Sequence, residues 1–201
     1  MIMAPSTTKV ISAAHRFREP LPVLVLLDMQ KQHRDGSPQF VVHDAASVVA
    51  GCKKLLAAAR TIGIPIAHTK RLEGNPFFNP ESPLTDWVAE CRPTPHEMLY
   101  EHTAPSIYSV PSFSRFFEHI QSPLIVLAGF GASYTALATA IDGFSRGHRI
   151  WFVGDASGSC GWTAANHEPV CNIIGQFAEI IDLSSALTRF QERSRDTRAH
   201  G

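Results

Sequence analysis

The sequence has no excess of either charge: 18 lysines and arginines are matched by 18 aspartates and glutamates. Without a global field to draw the chain onto nucleic acid or an anionic bilayer, neither partner is expected. Long apolar runs are also missing. The longest, residues 21–27 and 124–130, fall far short of the roughly 20 residues that a membrane-spanning helix needs. The first 18 residues are polar and basic, with no apolar signal-peptide centre, so a cytoplasmic location is the expectation. Cysteine is scarce: Cys52, Cys91, Cys160 and Cys171 lie far apart, with no Cys-x-x-Cys pair. That spacing points to free thiols rather than to disulfides or a zinc site. His33, His43, His68, His96 and His167 lack the i,i+4 or Asp-x-His spacing of a metal centre. No metal and no other cofactor is expected.

What is present suits a single globular domain. The chain has 201 residues, 44% hydrophobic and 18% charged, enough to bury a substantial core. There is no internal repeat. The domain is expected over residues 21–188, after an N-terminal extension (1–20) and before a polar tail (189–201) that frays from Phe190. Residues 22–28 form a continuous aliphatic run ending in Asp28, the pattern of a strand buried on both faces. A helix is predicted from an Asp44 N-cap, with Val48, Leu55, Leu56, Ala59 and Ile62 on one side and Gly63 closing it. Further strands are predicted at 64–69, 98–102, 123–130, 149–155 and 179–182, and helices at 112–120, 133–146 and 166–178. The loop 71–83, rich in Pro, Asn and Gly, is long enough to serve as a substrate wall.

Strands alternating with helices imply an α/β fold: a three-layer, Rossmann-like, doubly wound and mainly parallel six-stranded sheet with helices on both faces. In the usual strand order the first and fourth strands are neighbours where the order reverses, which is where such folds bind ligands. Asp28 then lies beside the turn Gly129-Phe-Gly-Ala-Ser-Tyr-Thr135. At the rim of a crevice a partly desolvated carboxylate with a raised pKa would suit acid/base work. The alternative is a capping carboxylate. The turn can present backbone N–H groups and a helix N-terminus to a negative charge. It is neither GxGxxG, a P-loop nor GxSxG, so nucleotide binding and a serine elbow gain no support. Its bland reading is a tight strand-to-helix connection capped by Ser133.

Two segments carry a specific resemblance. The aliphatic run into Asp28-Met-Gln30, and residues 124–142 from Leu124-Ile-Val-Leu through the glycine turn, resemble the first strand and the nucleophile strand of the isochorismatase-like (cysteine hydrolase) superfamily. Phe144-Ser-Arg-Gly-His-Arg-Ile150 and Val153-Gly-Asp-Ala-Ser157 match the steps that follow, and residues 92–97 with Pro105-Ser106 match the stretch before the nucleophile strand. The likeness covers most of residues 22–187. It implies a catalytic triad of Asp, Lys and Cys. Asp28 occupies the Asp place, His102 the Lys place and Thr135 the Cys place, so one of three is retained. The resemblance also implies a strained cis peptide, here at Phe130–Gly131, and homo-oligomers, dimer or tetramer.

A threonine hydroxyl is far less acidic than a thiol and needs a strong neighbouring base. The expectation is therefore a hydrolase of a small, anionic metabolite that works without cysteine, through Asp28 acid/base catalysis on an enol ether or a C–N bond. His102 would orient or shuttle protons, and Thr135 with the Gly131 and Thr135 amides would hold developing negative charge. Gly131, Ser133, Tyr134, Arg71 and Phe130 are the expected substrate-binding residues, with Lys70 a further candidate for an anion. Phe77, Phe78, Trp87, Tyr108 and Trp162 are candidate pocket walls. Two other readings stay open: a catalytically inactive relative that binds a metabolite or acts as an oligomeric scaffold, and an amidase using Thr135, Ser133 or Cys160.

Overall fold

The computed structural model describes residues 22–118, 120, 123–161 and 167–199. Its strands are β1 (Val23–Leu27), β2 (Ile66–Arg71), β3 (Met98–His102), β4 (Leu124–Gly129), β5 (Arg149–Ser157) and β6 (Glu179–Ile181). They form one sheet in the order β3-β2-β1-β4-β5-β6. Every neighbouring pair is parallel. The helices are α1 (Gln32–Asp35), α2 (Ala45–Ile62), α3 (Pro111–Glu118), α4 (Leu137–Ser145), α5 (His167–Ile174) and α6 (Leu183–Ala199).

Alternation along each strand divides the core between two faces. Leu24, Leu26, Val126 and Val153 pack against Val48, Leu55 and Leu56 of α2 and Phe190 of α6. Val23, Val25, Leu127 and Phe152 face the other way, onto Phe113 and Phe117 of α3, Ala140 of α4 and Ile174 of α5. Full burial of each such side chain is worth about 1.5–3 kcal/mol. No helix among the described residues is long and apolar enough to cross a membrane.

Several local expectations need correction. β2 begins two residues later than the apolar pattern indicates and takes in Lys70 and Arg71, because pairing with β3 continues to Arg71 opposite His102. The short helix α1 carries no periodic signal. The predicted helix over 133–146 opens as a π turn (Ala132–Ala136) before α4, and Ser133 does not cap it. The polar tail does not fray at Phe190. α6 continues to Ala199, because Phe190 is fully buried and Arg189 and Arg193 lie 4.6 and 5.6 Å from the Trp151 ring centre. The Phe130–Gly131 peptide is trans. The N-terminal extension (1–20) and Trp162 lie outside the described residues.

The strand order places the reversal point between β1 and β4. The chain winds outward through β2 and β3, crosses back to β4, and winds the other way through β5 and β6. Connections leaving the carboxyl ends of β1 and β4 therefore part in opposite directions and leave a crevice between them. Leu27 pairs with Gly129 at that edge. Gly129 has φ 119°, and a Cβ there would stand 2.5 Å from the Leu27 carbonyl oxygen. Only glycine lets the two strand ends approach so closely.

Candidate active site

Asp28 is the first residue past β1, and its side chain is 1% exposed. Its φ of 49° makes it the one described non-glycine residue with positive φ. Such a conformation persists only where neighbours over-determine it. Here the Asp28 N–H donates to Thr69 Oγ1 at 3.1 Å, while the Thr69 hydroxyl donates to Asp28 Oδ1 at 2.6 Å. His102 Nε2 donates to the same Oδ1 at 2.8 Å. Oδ2 accepts the Thr135 hydroxyl at 2.6 Å. Thr69 reaches Asp28 from β2, His102 from the end of β3 and Thr135 from the turn after β4. The π turn contributes to this placement: Ala136 N–H bonds back to Gly131 O at 3.1 Å. Gly131, at φ 76°, has space for a Cβ only at 3.3 Å from Thr135 Oγ1 and 3.5 Å from Asp28 Oδ2.

The hydrogen bonds decide the charges. His102 Nδ1 lies 2.8 Å from Ala104 O and Nε2 lies 2.8 Å from Asp28 Oδ1. Both partners are acceptors, so the ring carries both protons and is an imidazolium facing a carboxylate. Burial alone would raise the Asp28 pKa. The His102 charge and the hydrogen bonds from His102, Thr135 and Thr69 outweigh it and hold the carboxyl well below the usual carboxylate range. The expectation of a raised Asp28 pKa is thereby corrected. Burial pushes His102 down, but Asp28 and the Ala104 carbonyl push it up further, so its pKa lies above the ordinary 6.5. The two partners shift in the mutually consistent directions of a buried ion pair.

Arg71 closes one side of this arrangement. Its guanidinium carbon lies 4.4 Å from the ring centres of both Phe78 and Tyr134 and 5.9 Å from that of Phe40. Its Nε donates to Glu73. Gln30 holds the Arg71 backbone at both ends, with Oε1 accepting its N–H at 2.8 Å and Nε2 donating to its carbonyl at 3.0 Å. Stacking of this kind fixes the plane of a guanidinium and prepares it for a carboxylate. Lys70 points elsewhere, 5.8 Å over Trp87. Tyr108 also lies apart, bonded to His148 at 2.6 Å.

Of the residues expected from sequence, Asp28, His102 and Thr135 converge. Gly131 adjoins them, Arg71 stacks on Tyr134, and Phe130 lies buried behind the turn. Burial raises the Cys160 pKa, so this residue stays a thiol rather than a thiolate nucleophile. Sequence reasoning missed Thr69 and Gln30, and gave His33 no role. The His33 ring is 2% exposed, with its centre 5.5 Å from that of Phe78 and 5.8 Å from that of Phe130. Adjacency to Asp28-Met-Gln30 was the one available signal. Among the described residues no three His, Cys, Asp or Glu side chains are grouped to hold a metal ion.

The isochorismatase domain family model matches residues 22–185. No curated protein matches the chain in sequence. Similar solved structures include a cysteine hydrolase from Pseudomonas syringae pv. phaseolicola, with TM-score 0.75, 14% identity and coverage of 86% of this chain and 93% of that one. An isochorismatase from Pseudomonas putida has TM-score 0.72 and 22% identity, with 82% and 89% covered. N-carbamoylsarcosine amidase from Thermoplasma acidophilum has TM-score 0.66 and 20% identity, with 82% and 97% covered. At these identities the structural likeness speaks for the fold alone.

Proposed function

Because the chain belongs to the isochorismatase family, we propose that it is a hydrolase of a small anionic metabolite that works without a nucleophilic cysteine. The observation that carries this reading is the Asp28–His102 ion pair at the reversal point of the sheet, with Thr135 bonded to its free oxygen. The pair holds one mobile proton. Relay of the proton that rests on His102 Nε2 through Asp28 Oδ1, 2.8 Å away, to a bound substrate makes the pair a general acid. Such an acid can protonate an enol ether or a leaving nitrogen. Arg71, stacked between two aromatic rings, is suited to bind a substrate carboxylate in plane.

An acyl-threonine route has less support. The Thr135 hydroxyl already donates to a carboxylate whose pKa is depressed, and such a carboxylate is too weak a base to activate an alcohol. One observation favours a different reading, a metabolite-binding relative without turnover: Asp28, His102 and Thr135 are 1–3% exposed and satisfy one another.

A panel of enol ether carboxylates, amides and carbamoyl compounds, N-carbamoylsarcosine among them, separates these readings. Wild type is expected to turn over at least one member, and Asp28→Asn to slow it by about 100- to 10,000-fold. Equal rates from the two proteins would remove Asp28 from the mechanism. Binding of a panel member without conversion would establish the non-catalytic reading.

A further inference from the structure

We propose that His33 is the base that takes a proton from the hydrolytic water. This inference rests on the hydrolase reading above. It starts from an unmet hydrogen-bonding group: His33 Nδ1 lies 2.9 Å from the Phe40 carbonyl and must carry a hydrogen. Nε2 is then a bare lone pair. It is fully buried and has no hydrogen-bond partner among the described residues. An acceptor left so is costly, and a bound donor would recover that cost.

The ring belongs to the site already described. It packs between Phe130, at the turn carrying Thr135, and Phe78, which stacks on Arg71. Burial pushes its proton affinity down, as do Arg71 and His102, while Asp28 and the Phe40 carbonyl pull it up; burial dominates and leaves it neutral. The charged groups on its own helix, half-buried Arg34 and exposed Asp35, pair with each other at 2.8 Å. His68 Nδ1 is also without a partner, but that ring pairs with Glu97 and lies against Trp87. It feels Glu97 and Arg60 rather than Asp28.

Hydrolysis without a nucleophilic side chain requires a base for water, and the other candidates are committed. Both Asp28 oxygens accept hydrogen bonds, the Asp28–His102 pair serves as the acid at the vinyl carbon, and Cys160 is a thiol. For an enol ether carboxylate the steps balance as follows. The Asp28–His102 pair protonates the terminal vinyl carbon, giving an oxocarbenium ion. Water oxygen bonds to the cationic carbon while His33 Nε2 takes its proton. His33 returns that proton to the ether oxygen as the carbon–oxygen bond breaks with its electron pair. The remaining hydroxyl proton goes back to the Asp28–His102 pair. One water is consumed, and an alcohol and a 2-keto acid are released.

Nitrogen-15 spectra of the full chain test the inference without turnover. An unprotonated Nε2 on His33 at pH 7 is expected, and a proton found there overturns the role whatever becomes of the hydrolase reading. Kinetics on the panel member that wild type converts supply the second test. His33→Asn keeps an amide donor for the Phe40 carbonyl and removes the atom at Nε2. It is expected to lower kcat/KM about 100-fold in a protein that stays folded by circular dichroism, with partial rescue by added imidazole. It should also abolish the acid-side fall in kcat/KM expected of wild type, which lies lower than for an ordinary imidazole because burial lowers the His33 pKa. A variant with the wild-type rate and the same acid limb overturns the proposal while leaving the Asp28 reading intact. A wild type that converts no panel member overturns both.

Discussion

Two buried histidine–carboxylate pairs stand on opposite faces of β2, and they settle in different charge states. His102 Nε2 lies 2.8 Å from Asp28, and His68 Nε2 lies 2.9 Å from Glu97. The contacts are almost equal in length, yet the His102 pKa is raised and the His68 pKa is lowered. The difference lies in the second nitrogen and in the carboxylate's other partners. His102 Nδ1 has the Ala104 carbonyl, whereas His68 Nδ1 has no acceptor among the described residues. Glu97 is already neutralised by Arg60, at 2.7 and 3.0 Å, and by the Thr94 N–H. Its own pKa falls to about 2, burial being outweighed by Arg60, Thr94 and His68. Asp28 has hydroxyl groups and His102 as its direct donors. A buried carboxylate charges its histidine when nothing else cancels it and when both ring protons find acceptors.

Breaking the functional pair should have the largest effect. In Asp28→Asn, besides the loss of turnover, His102 loses its counter-charge, and its pKa is expected to fall below 6.5 in an NMR titration. His102→Gln leaves a buried carboxylate without its cation. A loss of about 3–5 kcal/mol is expected in urea unfolding at pH 6. His102→Lys restores a cation and is expected to recover most of that loss.

The structural pair should respond less. Glu97→Gln is expected to cost only about 1–2 kcal/mol, because Arg60 is 37% exposed and solvent screens its charge. His68 should still titrate below 6.5 in that variant, since burial, not the carboxylate, sets its direction.

The smallest effect is in the slope of stability with pH, where the pairs oppose one another. His102 has a raised folded pKa, so its contribution is full below about 6.5 and is lost as pH rises through the folded value. His68 has a lowered one, so its contribution is full above about 6.5 and is lost as pH falls. Melting midpoints from pH 5 to 8 should therefore show the gap between wild type and His102→Gln shrinking toward alkali. The gap to His68→Gln should shrink toward acid.

Much of this architecture was legible in the residues. The aliphatic run before Asp28, the α2 boundaries at Asp44 and Gly63, and the glycines at 129 and 131 predicted the elements and the approach of Asp28 to the turn before Thr135. The errors have physical causes. The apolar pattern sets β2 two residues early because the strand's end is polar and is held by pairing to β3 and by Gln30. The sequence around residue 190 reads as a fraying tail because its deeply buried anchor, Phe190, is surrounded by charged residues. Thr69 escaped notice because strand register decides which of two adjacent polar residues, His68 or Thr69, meets Asp28.

Hydrophobic periodicity and glycine punctuation are local properties, so the alternating strands and helices, and with them the crevice between β1 and β4, could be specified from the chain alone. Protonation could not. Whether Asp28 is an acid or an anion, and whether His33, His68 and His102 are charged, depends on acceptors and counter-charges brought from distant segments into a dry interior. There, a single added or missing hydrogen-bond partner outweighs the identity of the residue itself.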